Sequence, residues 1–66
     1  MKFVLREGYG PATVREIGDR LRSHGSGHHW VEKYRGKTFI HVQPGADEAI
    51  MRNEFAELVK PVEDGH

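Results

Sequence analysis

Five histidines and no cysteine in 66 residues are the first sign of possible chemistry. Two stand side by side in "GSGHHW" (Gly25 to Trp30), with His24 just before and His41 beyond. In a hairpin, His28 and His41 would lie diagonally across neighbouring strands, with Cβ atoms roughly 7 Å apart. His24 could add a third nitrogen, the ligand number of an open zinc site. The spacing matches no zinc pattern, and paired histidines at the start of a strand are more often solvated polar residues, so neither a metal ligand nor a cofactor is assigned. Ser26, His28 and Glu32 can be drawn as a triad, but Ser26 lies in a glycine loop without the strand-turn-helix elbow that exposes a nucleophile. A chain of this size seldom encloses a substrate pocket. The expectation is a protein that is not an enzyme.

The same stretch, "GSGHHWVEKYRGKTFIHV" (Gly25 to Val42), holds the only tryptophan and a group of cations. Arg35-Gly36 reads as a two-residue turn, which pairs Tyr34 with Lys37, Glu32 with Phe39, Val31 with Ile40 and Trp30 with His41. Alternation sorts the faces. Val31, Ile40 and Val42 share one with His29, Lys33 and Thr38; Trp30, Tyr34, Phe39 and His41 share the other with His28, Glu32 and Lys37. The first face suits helices above it. The second is aromatic and basic, and it is the candidate functional surface. His28, His29, Trp30, Tyr34, Phe39 and His41 are its candidate ligand or partner contacts, and Lys33, Arg35 and Lys37 are candidate phosphate contacts should the partner be nucleic acid.

The elements that must hold this hairpin follow from the rest of the chain. "KFVLRE" (Lys2 to Glu7) alternates as a strand, with Met1, Phe3 and Leu5 on one face and Lys2, Val4 and Arg6 on the other. Thr13 and Glu16 have the spacing of a capping box, which predicts a helix beginning at Thr13 with Val14, Ile17 and Leu21 as its apolar stripe. Gly18 inside that helix suggests close packing on the sheet, and Gly25 ends it. After "QPG", Ala46, Ala49 and Ile50 form one helical stripe, while Met51, Phe55 and Leu58 fall roughly opposite. That opposition predicts a short helix ending near Asn53, then a strand from about Glu57 to Val62. Pro61 puts that strand at an edge or ends it there, and residues 62–66 are expected to fray.

Strand, helix, strand, strand, helix, strand predicts an α+β fold: the split βαβ, or ferredoxin-like, sandwich with four antiparallel strands and two helices on one face. One domain spans residues 1–66, near the lower size limit for folding without staples. At 36% hydrophobic and 30% charged, with formal net charge zero, the composition argues against a generic nucleic-acid binder. No window has the ~20 apolar residues of a membrane span, and the start lacks the apolar run of a signal peptide. A cytoplasmic protein without membrane contact is expected.

"KTFIHV" (Lys37 to Val42) and "AELVKPVE" (Ala56 to Glu63) resemble the hairpin strand and closing strand of the small ferredoxin-like, ACT-like regulatory domain at the front of some DAHP synthases. The resemblance implies a non-catalytic domain that pairs with another copy and takes up an aromatic amino acid. A histidine early in the second strand would contribute, matching His29, or His28 if the register slips. The 66 residues themselves leave no room for the catalytic barrel of those enzymes, so a free-standing module is the expectation. "RGKTFIHV" (Arg35 to Val42) is similar to the octamer of RNA recognition motifs at Arg35, Gly36, Phe39 and Ile40, with Lys37 where an aromatic belongs. "GSGHH" is similar to a segment of Hic-type mRNA interferases, which have a further strand ahead of it. The reading adopted is a regulatory or adaptor module, dimeric through its open sheet face or an edge strand, that binds a partner protein or a small aromatic ligand. The alternative is a single-stranded RNA or DNA binder using the same face.

Overall fold

The computed structural model describes residues 1–62, in the order β1 (Lys2–Leu5), α1 (Pro11–His24), β2 (His29–Tyr34), β3 (Lys37–Val42), α2 (Ala46–Glu54) and β4 (Val59–Val62). The strands form one antiparallel sheet in the order β2-β3-β1-β4. This is the ferredoxin-like layout, with β2 and β4 at the edges. Of the segment expected to fray, Val62 is the last residue of β4, paired with Lys2; residues 63–66 lie outside the described residues.

The hairpin has the register its sequence predicts, from His29 opposite Val42 to Tyr34 opposite Lys37. Arg35 and Gly36 both take positive φ, 52° and 78°. That left-handed pair gives the turn a twist matching the strands it joins.

The core lies between the helices and one face of the sheet. Phe3, Ile40, Val42 and Val59 from the strands meet Ile17 and Leu21 of α1, Ile50 and Met51 of α2, and Phe55. A bidentate pair from Arg20 to Glu54, at 2.7 and 3.2 Å, ties the two helices on their wet side.

Three sequence expectations need correction. α1 begins at Pro11 rather than Thr13: Gly10 is the N-cap, no side chain caps the helix, and the Thr13 and Val14 amides already donate to Gly10 O. Proline suits the first helical position, where its missing N–H has no partner to lose and its φ is preset. In α2 the buried stripe is Asp47, Ile50 and Met51, continued by Phe55, while Ala46 and Ala49 are exposed. Helical spacing holds, but its first position is an acid. β4 starts at Val59, not Glu57, because residues 56–58 form a turn in which the Leu58 and Val59 amides bond Phe55 O.

Candidate functional site

The helices cover one face of the sheet and leave the other open. Across that open face run Trp30, His41, Lys2 and Val62 in one row, and Glu32, Phe39, Val4 and Lys60 in the next. Trp30 is 61% exposed and Tyr34 56%. Phe39 and His41 are half-buried, and Val4 is the one residue of this face that closes completely.

Local contacts organise the aromatic group. The Trp30 and His41 rings stack with centroids 4.5 Å apart and planes within 5°. His41 Nε2 donates to Glu32 Oε1 at 2.8 Å, which holds the imidazole flat against the indole. Lys2 Nζ stands 5.1 Å above the Phe39 ring, and the Arg35 guanidinium 5.3 Å from the Tyr34 ring. These cation–ring contacts are each worth about 0.5–1 kcal/mol at an exposed site. The result is a flat aromatic platform bordered by lysines, able to stack on a planar group or bury under an apolar surface.

Of the candidate contacts, Trp30, Tyr34, Phe39, His41 and Lys37 come together on this face, with Arg35 at its turn. His29 and Lys33 do not join them. Both point to the helix side of β2, and His29 packs toward Gly18, where a Cβ would come within 3.5 Å of His29 Nε2. The close approach expected at Gly18 is therefore to this imidazole of β2 and to the Arg22 side chain of the same helix. His29 Nδ1 is buried with no partner among the described residues. His28 is exposed just ahead of β2.

The glycine-serine loop proves to be an anchor. Asp47, 2% exposed in the first turn of α2, accepts from Ser26 N–H at 2.7 Å and from the Ser26 hydroxyl. Ser26 Oγ accepts in turn from His28 N–H at 3.1 Å, setting the chain's path into β2. The Ser26 hydroxyl holds the Asp47 carboxyl below the usual carboxylate range; the Ser26 amide and nearby His29 and His28 act in the same sense, against burial. Gly25 ends α1 with φ −109°, an ordinary extended value. Its need for glycine is steric, because a Cβ would overlap Asp47 Oδ1 and approach Leu21 O to 2.8 Å. Ser26 thus spends its hydroxyl on an acid absent from the triad drawn above. His24 bonds Arg20 and Ser23 within α1, and no group of three potential metal ligands occurs among the described residues.

Sequence reasoning missed Asp47, and it missed Lys2 and Lys60 as members of the open face. Their strand alternation carries that signal: Lys2 and Lys60 have the same parity as Val4, which pairs with Phe39 and with Lys60. The chain matches no family model, no curated protein and no solved structure. Its surface chemistry is therefore the ground for a functional reading.

Proposed function

We propose that this chain is a non-catalytic regulatory or adaptor module that pairs with a second copy along β2 and offers its open sheet face to a partner protein or a small aromatic ligand. The observation that carries the reading is the uncovered aromatic platform of Trp30, Tyr34, Phe39 and His41. A contiguous exposed aromatic surface is a common mark of an interaction site.

The pairing is supported by the unequal edges of the sheet. β4 is four residues long and contains Pro61, while β2 is six residues long, free of proline and exposed along nearly its whole length. Val31 is 41% exposed even on the helix side. An edge with unpaired backbone groups is a template for another strand, and a core this small gains from oligomerisation. The resemblance to amino-acid-binding regulatory domains agrees with both halves of the proposal.

Sedimentation of the protein at tens to hundreds of micromolar tests the pairing. A dimer that Val31→Asp dissociates is the expected result; a monomer throughout that range would end the pairing half of the reading. The docking half is tested by amide NMR with aromatic amino acids. Saturable shifts at Trp30, Phe39 and His41 are expected, and their absence would remove the small aromatic ligand.

A second reading, a single-stranded RNA or DNA binder, is favoured by one observation. Lys2, Lys37 and Lys60 all belong to the open face, and its acid, Glu32, is engaged by His41. Zero net charge hides this local excess. Base stacking on the platform with lysines on phosphates would lose affinity steeply with salt, whereas docking of an uncharged aromatic surface would not.

A further inference from the structure

At the end of the open face nearest the hairpin turn, Arg6, Lys37 and Lys60 line one groove. β1 pairs Val4 with Phe39 on one side and with Lys60 on the other. Arg6, just past the end of β1, lines the same groove as Lys37. Arg6 Nε donates to Val59 O at 3.3 Å and Nη2 to Ala56 O at 3.2 Å, so its guanidinium is held in place by carbonyls that leave its charge intact. Lys37 and Lys60 make no ion pair among the described residues. Like charges that line one groove repel one another, so an anion bound among them would be favoured.

The cations border a groove of about 540 Å³, between the end of β1, the hairpin turn and β4. Val4 and Leu5 contribute apolar surface to it, and Tyr9, 43% exposed, stands at its rim. Glu7 also lines it. Three positive charges against this one carboxylate leave an excess of two. That matches a phosphate monoester, which carries about −1.5 to −2 at neutral pH, better than a single carboxylate. The volume falls within the range of about 300–1,000 Å³ usual for small-molecule sites.

We propose that this groove binds a phosphate ester, with Lys37 and Lys60 as its point-charge ligands, Arg6 as the anchored third charge and the Tyr9 ring beside whatever the phosphate carries. Of the open face it shares Val4, Lys37 and Lys60, but it needs neither the aromatic platform nor the β2 pairing. It stands or falls separately from them. The ester could be a free small molecule or part of a single-stranded nucleic acid, since both present the same phosphate oxygens.

The test is an amide NMR titration of the labelled protein at low salt with adenosine monophosphate, adenosine, and a short oligonucleotide lacking terminal phosphates. Saturable shifts at Gly8, Tyr9, Gly36, Lys37 and Lys60 with the monophosphate are expected, and adenosine should bind about tenfold more weakly or worse, the loss of a charge-assisted contact. K37Q/K60Q should lower the affinity by a similar factor with its spectrum otherwise unchanged, while K37R/K60R should retain it. Tighter binding of the oligonucleotide than of the monophosphate at the same residues identifies the backbone of a nucleic acid as the source of the phosphate; the reverse order identifies a free ester. Equal binding of adenosine and its monophosphate, full affinity in K37Q/K60Q, or no shift in the groove with either phosphate would overturn the proposal.

Discussion

The two faces of this sheet are made by the same strands, yet they are governed by different physics. On the helix side, side chains from strands and helices exclude water, and a single acid, Asp47, is admitted because Ser26 meets it with two donors. On the open side the residues are as large, but Trp30 and Tyr34 stay more than half exposed and lysines alternate with the rings. Size and apolarity do not separate the faces; coverage by helices does. One face holds the fold, and the other is left with surface that folding does not use.

Substitutions on the two faces should therefore differ sharply in stability, measured by urea denaturation. Leu21→Ala and Ile40→Ala remove fully buried side chains and should cost about 2–5 kcal/mol, a large part of the stability of so small a domain. If Trp30→Ala cost as much, the comparison would collapse.

Next in size are changes at the anchor between α1 and α2. Asp47→Ala should cost about 1–3 kcal/mol, because it strands the two Ser26 donors that now meet the carboxylate. Gly25→Ala should cost a similar ~1–3 kcal/mol by overpacking against Asp47 Oδ1. The anchor also has a pH signature. The Asp47 carboxyl titrates lower in the folded chain than in the unfolded one, so the folded state binds fewer protons. Its contribution is present above the unfolded aspartate value of about 3.9 and is lost as pH falls through the lower folded value. Urea midpoints from pH 6 to pH 2 should fall for the parent protein, and Asp47→Asn should flatten that fall. An unchanged slope in Asp47→Asn would remove the carboxylate from this role.

How much of this was legible in the sequence follows from the kind of signal each part leaves. The hairpin, its register and its two faces are written in strict alternation around Arg35-Gly36, a local pattern. The open position of Trp30 and Tyr34 follows from the same alternation once a two-helix sandwich is inferred. The α2 stripe was not legible as apolar periodicity because its first place is Asp47, whose partner lies 21 residues earlier. Gly25 announced a helix end correctly, but its steric reason depends on that same distant acid. Lys2 and Lys60 escaped notice as site residues because they sit on strands that join the hairpin face only through tertiary pairing.

The smallest effects are expected on the open face. Trp30→Ala should cost about 1 kcal/mol or less, chiefly the stack on His41, and Tyr34→Ala should stay within about 0.5 kcal/mol. Lys60→Gln should leave stability unchanged or raise it by a few tenths of a kcal/mol at low salt, by relieving cation repulsion. A clear loss in Lys60→Gln would mean that this lysine supports the fold.

Pro61 gives the sheet a direction of growth. It pairs with Phe3 on the inner side of β4, and on the outer side its nitrogen has no hydrogen to offer an incoming strand. A chain with two usable edges could link copies end to end without limit, as fibrils do. In the pairing proposed above each copy would have a valence of one: with two joined along β2, only a short, proline-blunted strand would face outward at either end. Self-assembly through the sheet would then be a closed reaction that terminates at the pair.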